Sequence, residues 1–72
     1  MAERLIPLAA MEKILREAGA ERVSDDAKAV LKEVIEDKAV EIAKRASAFA
    51  IHAGRKTVQE HDVKLALKEF YP

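Results

Sequence analysis

The chain has no cysteine and no tryptophan, and its 72 residues include only two Gly, two Pro, two Phe and one Tyr. Without cysteine, disulfide staples and cysteine-ligated zinc are excluded, and the lack fits a reducing compartment. So few aromatics, with half of the residues apolar and many of these alanine, favour closely packed helices over a sheet. No apolar run approaches the ~20 residues of a membrane-spanning helix, and Met1-Ala2-Glu3-Arg4 does not open a signal peptide, so the sequence reads as soluble and intracellular. Net charge is missing too: 13 basic residues balance 13 acidic ones, which alone argues against a strongly cationic nucleic-acid binder. There is no phosphate-binding glycine loop and no cysteine nucleophile, and Ser47 is the one serine outside a helix cap. The spacing of His52, His61 and Asp62 fits no recognised zinc pattern. Neither catalysis, nor a metal, nor any other cofactor is expected.

What the sequence does contain is helical period. From Ser24 to Gly54, Ala27, Val30, Leu31, Val34, Ile35, Ala39, Ile42, Ala43, Ala46, Ala50 and Ala53 recur at three- and four-residue steps. Ser24 suits an N-cap, Asp25 and Asp26 face the positive end of the helix dipole, and Gly54 can take the left-handed conformation that closes a helix. No Pro or Gly interrupts the run. About 29 residues at ~1.5 Å each make a rod of ~43 Å, longer than the ~30 Å breadth of a compact globule of this size. A chain this short also buries little apolar surface unless it is stapled, metallated or oligomerised. With staples and metals excluded, the sequence predicts an obligate dimer in which a second copy crosses the same helix.

Short elements flank the rod. Pro7 suits a helix start, Leu8, Met11, Ile14, Leu15 and Ala18 fall on one face, and Gly19 ends the segment. Residues 1 to 6 read as a short frayed arm. After the long helix, Val63, Ala66, Leu67 and Phe70 make the stripe of a third helix. The order is short helix, loop, long helix, loop, short helix, at about residues 7–18, 24–53 and 59–70, all in one domain spanning residues 1–72. Phe49, Ile51 and Leu65 lie off the main stripes. Phe49 and Leu65 read either as a second apolar contact beyond the dimer or as scattered surface residues. Acids collect at Glu33, Glu36, Asp37 and Glu41 on what reads as the exposed middle of the long helix, whereas the loops carry Arg22 and Arg55-Lys56.

The strings Ala18-Gly19-Ala20-Glu21-Arg22-Val23-Ser24-Asp25-Asp26-Ala27 and His52-Ala53-Gly54-Arg55-Lys56-Thr57-Val58, with Asp62-Val63 and Leu65-Ala66-Leu67, closely resemble the archaeal histones, over roughly residues 7 to 70. The resemblance implies an all-α histone fold forming an intertwined dimer, with the first loop of one chain beside the second loop of the other. Arg22 and Arg55-Lys56-Thr57 would then converge at each end of the dimer as a small cationic patch suited to duplex phosphates. By the family pattern Arg22 enters the minor groove, Lys56 and Thr57 hold phosphates, and Lys13 and Arg16 contact the backbone near the dimer centre. Arg55 pairs with Asp62 to lock the loop onto the third helix. Phe49, His52, Asp62 and Leu65 match the positions through which dimers join into longer superhelices. If His52 meets a carboxylate there, pH tunes assembly. Gly19 matches the small residue where superhelical turns stack, and a helix stop explains it equally well.

The resemblance thus implies a double-stranded DNA partner, homodimers with higher oligomers, other histones as possible partners, no membrane, and a place on the chromosome in the cytoplasmic nucleoid. Several residues depart from the family pattern. His61 stands where an acid is common, Glu12 replaces a small residue, and Lys68-Glu69-Phe70-Tyr71-Pro72 is less basic than in many relatives. Two other readings keep the fold: a protein-interaction subunit that heterodimerises like paired transcription-factor subunits, and a histone that bridges DNA rather than wrapping it. Sequence-specific base readout is not expected, because nothing offers Arg, Asn or Gln to base edges from a recognition helix.

Overall fold

A computed structural model describes residues 6–71. It contains three helices, α1 (Leu8–Glu17), α2 (Asp25–His52) and α3 (Glu60–Phe70), and no strand among the described residues. Each helix begins one residue later than the apolar pattern alone suggests, because Pro7, Ser24 and Gln59 sit outside as caps. Pro7 and Gln59 are extended, and the Ser24 hydroxyl accepts the Ala27 N–H at 3.1 Å. α1 and α2 stop in the same way. Gly19 and Gly54 take positive φ, 114° and 74°, the region that favours glycine. The two following residues then return hydrogen bonds to the helix: Ala20 N–H to the Leu15 carbonyl at 3.0 Å, and Arg55 N–H to the Ala50 carbonyl at 2.9 Å. No helix of the described residues is long and apolar enough to cross a membrane.

The chain divides into two compact units, Met1–Asp37 and Lys38–Pro72, with α2 contributing to both. In the first, Met11 of α1 is fully buried and Leu15 half-buried, while Leu8 and Ile14 stay about half exposed. Here one expectation is overturned: Glu36 is not on an exposed acidic face but is buried, together with Lys32. Lys32 Nζ lies 2.8 Å from Glu36 Oε2, one helical turn along α2. The same two side chains hold both backbone groups of Ile6: its N–H donates to Glu36 Oε2 at 2.8 Å, and its carbonyl accepts from Lys32. Ile6 is therefore fixed and not frayed; the rest of the expected arm, residues 1–5, lies outside the described residues. Two buried charges survive because each is the other's counter-ion and each takes a further hydrogen bond. Burial leaves Glu36 Oε1 without a partner.

In the second unit the buried apolar residues are Ala46 and Ala50 of α2 and Ala66 of α3. Alanines at the contact let two helices approach closely, and longer side chains at the margin fasten α3. Arg45 Nε donates to Glu69 Oε1 at 2.6 Å, and Lys38 Nζ sits 5.7 Å from the centre of the Phe70 ring.

The single chain leaves much of its apolar surface in water. Val30, Val34, Val40 and Ile51 of α2 are 42–73% exposed, and Val63 and Leu67, expected in the α3 core, are also exposed. Apolar residues on α2 are spread around the helix and do not form one stripe, so one packed neighbour cannot cover them. Each such side chain forgoes part of the ~1.5–3 kcal/mol that full burial supplies.

Candidate nucleic-acid interface

The second loop is built around Asp62. This residue stands in the first turn of α3, where its Oδ2 accepts the Gln59 N–H at 2.8 Å. Arg55, placed just after the Gly54 turn, donates to both carboxylate oxygens, Nη1 to Oδ2 at 2.8 Å and Nη2 to Oδ1 at 2.9 Å, and Nη1 also reaches the Thr57 carbonyl at 3.1 Å. A forked, charge-assisted pair of this kind fixes direction as well as distance. Asp62 is buried and Arg55 partly so. The loop between them is thereby folded back on α3, with Lys56 and Thr57 side chains exposed and engaged in no hydrogen bond or ion pair among the described residues.

The Arg55 guanidinium, and after it the Gln59 N–H, hold the Asp62 carboxyl well below the usual carboxylate range, while Asp62 pushes Arg55 up. A carboxyl depressed on folding contributes stability that is complete above its unfolded value, about 3.9, and is lost as pH falls below that value. Asp62→Asn removes this contribution at neutral pH. Its melting temperature should fall less steeply than that of the wild type between about pH 4 and pH 2. Parallel acid slopes in melts at fixed protein concentration would refute the assignment.

The first loop follows Gly19. Arg16 of α1 donates to Glu12 Oε2 through Nε at 3.0 Å and through Nη2 at 2.9 Å, and its Nη1 reaches the Glu21 carbonyl at 3.1 Å. It thus braces the loop from within the chain. Glu12 also meets Lys28 at 3.4 Å, and the two cations, Arg16 first, lower its pKa. Arg22 is exposed at the rim of a shallow hollow lined by Leu15, Val23, Ser24 and Ala27. Lys13 is exposed on α1.

Two of the groups expected to act together are brought together, Arg55 with Asp62. Arg22 belongs to the first unit, and Lys56 and Thr57 to the second. Among the expected assembly residues, His52 and Leu65 are exposed and Phe49 is half-buried with Arg45 5.7 Å above its ring. Asp62 is already engaged inside the chain. Gly19 is exposed, with open space around it, and ends α1.

Ion pairing divides the cations into two groups. Arg16 and Lys28 meet Glu12, Lys32 meets Glu36, Arg45 meets Glu69, Arg55 meets Asp62 and Lys64 meets Glu60. Lys13, Arg22, Lys38, Lys44, Lys56 and Lys68 have no such partner among the described residues, although Lys38 lies over the Phe70 ring. Sequence reading missed the roles of Glu12 and of Lys32–Glu36. The four-residue spacings Glu12–Arg16 and Lys32–Glu36 were the available signal, and nothing in spacing alone distinguishes a buried pair from a solvated one.

Residues 4–67 match the model of the family described as histone-like transcription factors (CBF/NF-Y) and archaeal histones. The chain is 53% identical over 63 residues to one of the subunits of archaeal histone HAN1 from Thermococcus zilligii, an alignment covering 88% of this chain and 94% of that protein. It is 47% identical, over the same shares, to a Methanocaldococcus jannaschii protein named "Probable archaeal histone 3". With three helices, the capped long α2 and a family match running through both loops, the chain belongs to the family of archaeal histones and histone-like transcription factors.

Proposed function

We propose that the chain binds double-stranded DNA without sequence preference, as a homodimer, and bends or wraps it to compact a chromosome in the nucleoid. The observation that carries this reading is the arrangement of the second loop. In the second loop Arg55 is turned inward onto Asp62, so the loop's shape is held by one cation while Lys56 and Thr57 face solvent. Arg22 is exposed in the first loop. Such side chains neutralise phosphates and fix register on a duplex without reading bases. In this reading Arg22 enters the minor groove, Lys56 and Thr57 hold phosphates, and Lys13 touches the backbone. Arg16 adds charge near the duplex while bracing the first loop. Bending is then limited by DNA deformability, the one source of sequence preference left.

The exposed valines and isoleucine of α2 support a dimer, since a second copy supplies the cover that one chain lacks. Higher assembly through Phe49, His52 and Leu65 extends the same reading, with Asp62 anchoring the loop beside them. The exposed apolar surface and the zero net charge also suit an interaction subunit that pairs with a different histone-fold chain. A titration of random-sequence duplex DNA at several salt concentrations, with sedimentation of the protein alone, separates the two. A stable homodimer whose affinity falls steeply with salt is expected. A folded dimer that fails to bind at low salt would exclude the chromatin role, and a chain that dimerises only with another histone-fold protein would favour the subunit reading.

A further inference from the structure

His61 has no part in the DNA contacts or the assembly described so far. Its Nε2 lies 3.1 Å from Arg55 Nη2 and 3.6 Å from Asp62 Oδ1, and its side chain is otherwise exposed. A guanidinium has only donors, so at 3.1 Å Nε2 must be the acceptor, and the imidazole is neutral with its hydrogen on Nδ1. Arg55 is thus held by two acceptors of α3, and one of them disappears when it takes a proton.

We propose that His61 is a proton-operated regulator of the second loop, which in its charged form adds a phosphate-binding cation beside Lys56. Neutral, it accepts from Arg55. Protonated, it releases Arg55 and turns its new N–H toward Asp62 or toward solvent. Asp62 keeps Arg55 in place in both states, because the forked pair does not use the imidazole. The charged groups against the ring are Arg55 from the loop and Asp62 from α3. Glu60 and Lys64, also on α3, are paired with each other at 2.7 Å. No α2 side chain makes a polar contact with the ring among the described residues. Imidazole is the side-chain class whose charge changes by one proton under mild conditions, and a protonated ring adds one positive charge to the loop.

This inference rests on the DNA reading proposed above, and its test distinguishes failure of the two. Duplex affinity would be measured against salt at about pH 5.5 and about pH 8 for the wild type, His61→Gln and His61→Lys. One additional phosphate contact in each second loop steepens the salt dependence by about 0.9 per loop and tightens binding about eightfold per loop, roughly sixtyfold for a dimer, at ~0.1 M salt. The wild type should show that gain at the lower pH. His61→Gln, which still accepts from Arg55 but does not titrate, should lose it, and His61→Lys should bind tightly at both. A His61→Gln protein that keeps the full pH response overturns the inference while leaving the DNA reading intact. No binding by any variant at any pH defeats the DNA reading instead. The coupling is then read by NMR in the free protein, where Arg55 side-chain N–H signals should follow the His61 titration, and signals that stay fixed overturn it.

Discussion

Lys56→Ala should weaken duplex binding by about eightfold for each copy of the second loop at ~0.1 M salt, and by roughly sixtyfold for a dimer presenting the loop twice. The figure follows from counterion release. Each phosphate contact contributes ~0.9 to the slope of log affinity against log salt, so its removal costs about 0.9 of a decade at ~0.1 M. The slope itself should fall by about two per dimer, and equally on every DNA sequence, because a phosphate contact carries no base information. Lys56 is the informative position because it is exposed and unpaired among the described residues, so its loss should leave the melting temperature nearly unchanged. Arg55→Ala should do the reverse, lowering the melting temperature by stranding buried Asp62 and disturbing DNA binding only through the loop's shape. A Lys56→Ala protein with the wild-type salt slope would remove the second loop from the interface.

Glu36→Ala should be among the most damaging single changes in the chain. It leaves Lys32 buried with an uncompensated charge and deprives the Ile6 N–H of its acceptor. Breaking a buried pair by deleting one partner costs about 3–5 kcal/mol. For a domain of this length that lowers the melting temperature by roughly 12 °C or more. Replacing both partners at once with apolar residues of similar size, Lys32→Met with Glu36→Leu, should recover much of the loss, since no charge is then left buried. Melts must be compared at one protein concentration, because a dimer's apparent stability depends on it. A Glu36→Ala protein that melts within a few degrees of the wild type would mean that water reaches the pair.

Most of the architecture was legible because it rests on local chemistry. Pro7, Ser24-Asp25-Asp26, Gly19 and Gly54 mark helix ends whatever the tertiary context, and an uninterrupted α2 follows from period and from the lack of Gly and Pro. The loop strings identified the family, and the family match runs through both. The second loop's inner geometry depends on a charge pair seven residues apart, Arg55 and Asp62. That pairing came from the resemblance and not from spacing. What stayed illegible was burial. Glu36 read as one more solvated acid beside Glu33, Asp37 and Glu41, because i, i+4 spacing looks the same in water and in a core. Only the approach of the Ile6 backbone, thirty positions earlier, separates the two cases. In the same way Val63 and Leu67 read as core, yet a stripe states only that a surface is apolar and not which chain covers it.

The capture of Ile6 also sets a register. Both its backbone groups are bound, and the next residue is Pro7, which has no N–H to offer. If α1 slid along α2 so that Pro7 entered the clamp, Glu36 would face a ring carbon in place of a donor, and its buried carboxylate would be left with Lys32 alone. Proline ahead of α1 is thus more than a helix initiator: it makes the neighbouring misalignment unfavourable, and the same clamp that anchors the chain rejects the wrong residue.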